Sequence, residues 1–221
     1  MKISVITPFS RGIKELKQLI RDFKNQTFPN FEWIIVHDGN PSPEIAEFMG
    51  KNCPSFAKFV SIEKDRGDMK TAPGTKPRNH GLQMAKGDYV IFCDDDDRYK
   101  SSYLEIIASG MIDSSISVVQ MSCQESRIYR NGNPQRIVLV PEVGLSEFPV
   151  ICHVGTPCFA VPRKWALEDP WQHEPEHDFR FIKRIVDKHK PTVFLNYGML
   201  VDVDGLVLQG VKGWVRSPRF S

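Results

Sequence analysis

Tyr89-Val90-Ile91-Phe92-Cys93-Asp94-Asp95-Asp96-Asp97 is the stretch on which the reading of this chain turns. Five apolar residues follow the turn signal Gly87-Asp88 and read as a short buried strand. Four carboxylates then stand where that strand leaves the core. Packed like charges repel, so the arrangement is tolerated best where a cation gathers them. Hard carboxylate oxygens suit Mg²⁺ or Mn²⁺, ions that commonly hold the phosphates of a substrate. The simpler alternative is a solvated acidic turn, the usual setting of a charge run.

Upstream, the chain alternates between two periods. Residues 2–7 alternate and stop at Pro8, predicting a first strand. Leu16, Leu19, Ile20 and Phe23 recur at i, i+3, i+4 and i+7 and predict an amphipathic helix over 14–25. Residues 31–36 predict a second strand, ended by the turn His37-Asp38-Gly39-Asn40-Pro41. A helix over 43–51 with Ser42 as its cap, and a strand over 56–62, come next. The polar stretch 63–77, broken by Gly67, Pro73, Gly74 and Pro77, is longer than a plain connection and reads as functional. A helix over 78–86 returns the chain to the strand at 89–93. This alternation predicts an α/β fold, a doubly wound, mostly parallel sheet with right-handed crossovers. Pro8, Asp38 and the aspartate run then share the edge of strand C-termini, outside which open α/β sheets bind ligands.

Downstream the pattern loosens into a smaller mixed subregion. A helix is expected over 101–112 and a strand over 116–123. Residues 128–130 and 137–140 flank Asn131-Gly132-Asn133-Pro134 and predict a hairpin. A strand over 156–161 ends at Pro162, a helix over 176–189 carries Phe179, Ile182 and Val186 on one stripe, and a short strand covers 193–195. Residues 196–221, with Gly198, Gly205, Gly210 and Gly213, are expected to form a flexible tail.

Composition narrows the class. The 221 residues are 41% hydrophobic, ordinary for one globular domain. Lys+Arg number 29 against 27 Asp+Glu, a net charge of +2, so nothing calls for nucleic acid or an acidic membrane as partner. No apolar run is long enough to span a bilayer, and the opening segment reads as a strand rather than a signal peptide. The five cysteines (Cys53, Cys93, Cys123, Cys152, Cys158) contain no CxxC pair and are odd in number, which suits a reducing, cytoplasmic setting. No Gly-rich phosphate loop is present, and the histidines suggest no metal cluster.

Four segments then take on a joint meaning: Ser4-Val5-Ile6-Thr7-Pro8, Ile34-Ile35-Val36-His37-Asp38-Gly39, Pro77-Arg78-Asn79-His80-Gly81-Leu82, and Gly87 through Asp97. In this order and at these intervals they closely resemble family 2 glycosyltransferases of the GT-A fold. The resemblance covers roughly residues 2–104 and thins to scattered motifs beyond. It implies a hexosyltransferase-type enzyme that transfers a sugar, with inversion, from a nucleoside-diphosphate sugar to an acceptor hydroxyl. UDP-sugars are the favoured donors and GDP-sugars remain open; Mn²⁺ or Mg²⁺ is the implied cofactor. It further implies that Pro8 lines the base pocket, Asp38 hydrogen-bonds the nucleobase, Arg78 lies near the base or phosphate, and Asp95 faces the ribose. Asp96 is the implied metal ligand of a DxD-type motif, with Asp94 assisting. The family commonly has two acids where this chain has His37-Asp38. The expected organisation is one domain over 1–221: a nucleotide-sugar half at 1–104, an acceptor and catalytic half at 105–195, and the tail at 196–221.

Glu174-Pro175-Glu176-His177-Asp178 stands where the family places an acidic pair. Matching Phe181, Ile182 and Arg184 to the family's apolar-plus-Arg helix favours Asp178 as general base, with His177 in place of the customary Glu. A shift of two makes Glu176 the base instead. The bland alternative is that these acids only complement a helix dipole. Gly155-Thr156-Pro157-Cys158-Phe159 lines an acceptor pocket or simply turns into a strand. His153 and His173 lie near the acceptor or are ordinary satisfied residues. Trp165, Trp171 and Trp214 are candidates for stacking on sugars, with core packing the default for Trp165. The tail, with Lys212 and Arg216, would close as a lid. Two other classes stay in view. A nucleotidyltransferase would need a basic Gly-rich loop where only Arg11-Gly12 stands, and a non-catalytic nucleotide-sugar binder is kept open by His177.

Overall fold

The computed structural model describes residues 1–65, 72–111, 115–129, 131–133, 136–142 and 148–202. Strands β1 (Ile3–Phe9), β2 (Phe31–Asp38), β3 (Ala57–Ile62) and β4 (Tyr89–Phe92) run parallel in the order β3-β2-β1-β4. Ile3, Val5, Ile6, Trp33, Ile34, Ile35, Val90 and Ile91 are all buried, as strands covered on both faces require. The chain steps outward from β1 to β3 and then returns to the other flank of β1 as β4. The direction of winding therefore reverses between β1 and β4, and at their carboxyl ends a crevice must open.

β1 does not stop at Pro8. It continues to Phe9, with Pro8 opposite Val36 of β2. β4 pairs with β1 only as far as Ile6, so the amide that proline lacks would have had no ladder partner on that flank. Helix α1 (Ile13–Lys24) buries the predicted stripe of Leu16, Leu19, Ile20 and Phe23. Helix α2 (Pro43–Asn52) is capped by Ser42, whose Oγ accepts from the Ile45 N–H at 3.3 Å. Helix α3 (Thr75–Met84) begins three residues before its expected start, because Pro77 falls within the first turn, where its missing N–H costs nothing. Gly74 precedes α3 with φ +79°. A Cβ at Gly81 would lie 2.5 Å from Ile6 Cγ2, so glycine is what lets α3 rest directly on β1.

After β4 come β5 (Arg98–Tyr99), helix α4 (Tyr103–Ser109) and β6 (Ser115–Gln124). A single helical turn, α5 (Glu125–Ile128), and β7 (Ile137–Val140) follow. A 3-10 turn at Thr156–Cys158 leads to β8 (Phe159–Pro162), helix α6 (Arg163–Glu168), helix α7 (His177–His189) and β9 (Thr192–Asp202). Among the described residues the nine strands form one sheet, β3-β2-β1-β4-β8-β6-β9-β5, with β7 beside β6. β8 is antiparallel to both β4 and β6, and this half is the mixed subregion.

Three expectations change here. The hairpin is formed by β6 and β7, through Gln124↔Ile137 to Met121↔Val140, while Ile128 and Tyr129, the described residues of 128–130, are not strand; the chain turns through α5 instead. The last strand is much longer than 193–195. Residues 196–202, expected in the flexible tail, pair as β9 with β6 and β5, a long-range pairing that no local glycine count reveals. The remainder of that tail, 203–221, with Trp214, Lys212 and Arg216, lies outside the described residues.

One anchor matters for the site. Asp22 of α1, itself buried, accepts from Arg98 Nε (2.8 Å) and Nη2 (3.0 Å) and from the Tyr99 N–H (3.1 Å). The exit of the aspartate run is thereby fixed to α1. Among the described residues no helix is long and apolar enough to cross a membrane.

Candidate active site

A cleft of about 300 Å³ opens at the carboxyl ends of β1, β2 and β4. Pro8, Asp38, Arg78, Asp94, Asp95, Asp96 and Asp178 all line it, brought together from five separate regions of the chain. Ser10, Arg11, Gly74, Thr156 and His177 complete its wall.

The four aspartates part company at the end of β4. Asp94, Asp95 and Asp96 face the cleft, while Asp97 is only 4% exposed and turns inward. Asp94 Oδ1 accepts from Arg78 Nη2 at 2.7 Å. Asp95 Oδ2 accepts from the backbone N–H groups of Ser10 (2.8 Å) and Arg11 (3.1 Å), tying the β1–α1 loop to the acidic turn. Burial pushes the Asp95 carboxyl up to about 6; the charges of Asp96 and Asp94 add to this, against the Ser10 N–H and Arg11. Asp96 is ion-paired and hydrogen-bonded to the guanidinium of Arg11.

Arg78 projects from α3 and is only 4% exposed. Besides Asp94, it donates through Nη1 to the Pro73 carbonyl at 2.7 Å and lies 4.9 Å from the ring centre of Trp171. Gly74 makes room for it: a Cβ there would meet Arg78 Nη1 at 3.1 Å and Pro8 Cβ at 3.2 Å. Asp38 Oδ1 accepts from the Asp65 N–H at 2.6 Å, so the carboxylate caps the chain beyond β3 rather than its own turn. Asp65, in turn, accepts from the Lys76 N–H at the start of α3 (3.1 Å). His37 is buried between Phe9 and Phe59, its Nδ1 2.9 Å from the Gly39 carbonyl oxygen. Where the family commonly has a second acid, this chain has a packed imidazole.

Across the cleft, Asp178 sits in the first turn of α7. Its Oδ1 accepts from Thr156 Oγ1 at 2.7 Å and lies 3.1 Å from His177 Nε2. Burial works to raise this carboxyl, but the His177 hydrogen bond and charge, the Arg78 charge and the Thr156 hydroxyl outweigh it, and the group is held below the usual carboxylate range. Glu176 is placed differently. It precedes α7 with φ +55°, its side chain is 46% exposed, and its Oε2 is 4.0 Å from Arg180 Nε rather than in the cleft. Glu174 and Pro170 O bind the guanidinium of Arg184, which pins this segment to α7.

Other candidates serve packing. Trp171 is buried, stacked on Phe181 at 4.2 Å and 4°. Trp165 is buried and stacked on His189 at 4.5 Å. His173 lies 3.6 Å from Asp65, and His153 lies 3.6 Å from Glu142, both away from the cleft. Asn79, beside Arg78 in the motif, clamps the Trp171 backbone with two hydrogen bonds (2.8 and 3.0 Å). Arg11 was missed as a cleft residue because a lone exposed arginine after a strand carries no periodic or motif signal.

The donor set fits a divalent cation. Among the described residues no three acidic or sulfur or imidazole ligands converge into a complete cage. Mg²⁺-type ions in phosphate chemistry need only one or two carboxylates, the rest coming from phosphate and water. Asp96, already facing a cation, and Asp94 beside it meet that description.

A sheet that gathers acids, a buried arginine and a proline at its carboxyl-end switch point defines a ligand-binding protein of the open α/β class. The family described as "Glycosyl transferase family 2" matches residues 4–169, and the chain belongs to it. Among curated proteins, the cholesterol galactosyltransferase of Borreliella burgdorferi is 35% identical over 130 residues, 58% of this chain and 33% of that protein. Among solved structures, S. aureus TarS 1–349 in complex with UDP aligns with a TM-score of 0.65 at 20% identity, covering 96% of this chain and 63% of that one. The mannosyltransferase PcManGT from Pyrobaculum calidifontis, in complex with GDP-Man and Mn²⁺, aligns with a TM-score of 0.66 at 14% identity, covering 91% and 56%. These two likenesses establish the GT-A fold. The chain spans well under half the length of the first curated relatives it matches.

Proposed function

We propose that this chain transfers a sugar from a nucleoside-diphosphate sugar to an acceptor hydroxyl, with inversion, and that UDP-sugars are the favoured donors. The observation that carries this reading is the meeting, across one cleft, of the Asp94–Asp96 turn and Arg78 with Asp178. TarS bound to UDP and PcManGT bound to GDP-Man support a nucleotide-sugar donor.

Pro8 and Asp38 would receive the base. Asp38 Oδ1 is committed to the Asp65 N–H, which orients the second oxygen to accept from a base N–H. Asp95, its Oδ2 anchored by the Ser10 and Arg11 N–H groups, would turn its Oδ1 edge, 3.6 Å from Arg11 Nε, toward the ribose. Arg78 supplies fixed positive charge beside the diphosphate. Its pairing with Asp94 and its seat on Trp171 hold it there before any ligand arrives. A Mn²⁺ or Mg²⁺ held by Asp96, with Asp94 assisting, would neutralise charge on the departing diphosphate. Asp178 would take the proton from the acceptor oxygen as it attacks the anomeric carbon opposite the leaving group. Thr156 and His177 both engage Oδ1, leaving Oδ2 to face the acceptor. We further propose that 1–221 acts as one domain in a reducing, cytoplasmic setting.

The test is incubation with Mn²⁺ and a panel of nucleotide sugars and hydroxyl acceptors, reading release of nucleoside diphosphate. Release from a UDP-sugar supports the reading. Pyrophosphate release from a nucleoside triphosphate and a sugar phosphate would replace it with nucleotidyl transfer, and tight donor binding without turnover on any acceptor would replace it with a binding role.

A further inference from the structure

Arg11 lies on the short loop between β1 and α1, and its guanidinium occupies the carboxylate assigned above to the metal. It pairs with Asp96 and lies 3.6 Å, through Nε, from Asp95 Oδ1. The loop is tied to this position, because Asp95 Oδ2 accepts from the backbone N–H groups of both Ser10 and Arg11. The side chain, by contrast, is 52% exposed, so the pair is cheap to open. A positive group thus stands on the ligand oxygen, held by an anchored backbone and a releasable side chain. A second cation at Asp96 would meet both an occupied carboxylate and a like charge beside it.

We propose that Arg11 is an internal counter-ion that competes with the divalent cation for Asp96. The unloaded site then binds metal weakly, and the ion enters together with the donor diphosphate, whose oxygens add the ligands that tip the exchange. This inference rests on the metal assignment of Asp96.

The test is titration of the ligand-free protein with Mn²⁺, reading free ion by electron paramagnetic resonance. Arg11→Gln is expected to bind Mn²⁺ roughly two- to fivefold tighter than the unaltered chain, the scale of losing one exposed ion-pair competitor. Asp96→Asn, alone or combined with Arg11→Gln, is expected to weaken retention. Lys14→Gln removes the same charge from an exposed position outside the cleft and is expected to change nothing. Equal or weaker retention by Arg11→Gln, with Asp96→Asn weaker still, overturns the competition and leaves the metal assignment standing. An equal gain in Lys14→Gln reduces the effect to net charge and also overturns it. Equal retention by every variant removes Asp96 as the ligand, and the competition with it. Absence of glycosyl transfer alongside the expected Mn²⁺ pattern would sink the proposed activity and not the role of Arg11.

Discussion

At the scale of single residues, the cleft assigns different work to similar side chains. Asp178 and Glu176 stand two positions apart, yet only Asp178 faces the cleft. Asp178→Asn is therefore expected to lower transfer by about 10²–10⁴-fold, the usual worth of a general base, with donor affinity in calorimetry nearly unchanged. Glu176→Gln is expected to keep full turnover; a dead Glu176→Gln beside an active Asp178→Asn would move the base to Glu176. With Asp178 as the proposed base, the acid limb of the rate is expected to follow its depressed carboxyl. A carboxylate with a lowered folded-state pKa stays ionised at neutral pH, and its contribution is lost only as the pH falls through that lowered value. Thr156→Val removes a hydrogen bond to the ionised form, so the acid limb of kcat/KM is expected to move to higher pH. A limb that stays put would show that Thr156 does not tune Asp178. Why one of two nearby acids reaches the cleft was not legible in the sequence. Helix α7 starts one residue after the start its periodicity predicts, and Glu176 stands before it in left-handed backbone with its side chain turned toward Arg180.

At the scale of elements, helix α3 holds the cleft together through three positions that look unrelated in the sequence. Gly74 supplies the positive φ that starts the helix beside Pro8 and Arg78. Gly81 permits contact with β1. Asn79 clamps Trp171, which in turn supports Arg78. Gly81→Ala is expected to destabilise by about 1–3 kcal/mol through overpacking against Ile6, measured by urea unfolding. Gly74→Ala is expected to cost about 1–2 kcal/mol for the left-handed backbone and to weaken donor binding as well, since its Cβ would press on Arg78. Unchanged donor affinity there would separate the loop from the site. The motif Pro77 through Leu82 was legible as a family resemblance, but the reason for each letter is packing between α3, β1 and the segment before α7. The β6–β7 hairpin was misplaced for a related cause. The Asn-Gly pair at 131–132 signals a turn in the sequence, but which strands flank it is settled by pairing along the buried length of β6.

At the scale of the whole molecule, ligand binding should appear as stability. A nucleoside diphosphate at a hundredfold its Kd adds about 2.7 kcal/mol, roughly 5–10 °C in Tm for a chain of this length. The shift is expected with UDP and Mn²⁺ and is expected to shrink on adding a chelator or in Asp96→Ala; an identical shift in all three conditions would remove the metal from donor binding. What the sequence determined alone is the parallel half and its acidic edge. β1 to β4, their helices and the placing of Pro8, Asp38 and the aspartates at strand ends all follow from local period and turn chemistry, which act over a few residues. Only the tertiary structure decided which aspartates face the cleft, that Arg11 meets Asp96, that Thr156 and His177 hold Asp178, and that 196–202 is strand rather than tail. Apart from the contact of Asp178 with its neighbour His177, those are pairings between segments tens of residues apart. The placing of Asp178 and of 196–202 depends on how the mixed half docks against β4 through β8, a choice made by shared burial, which no short window of sequence contains.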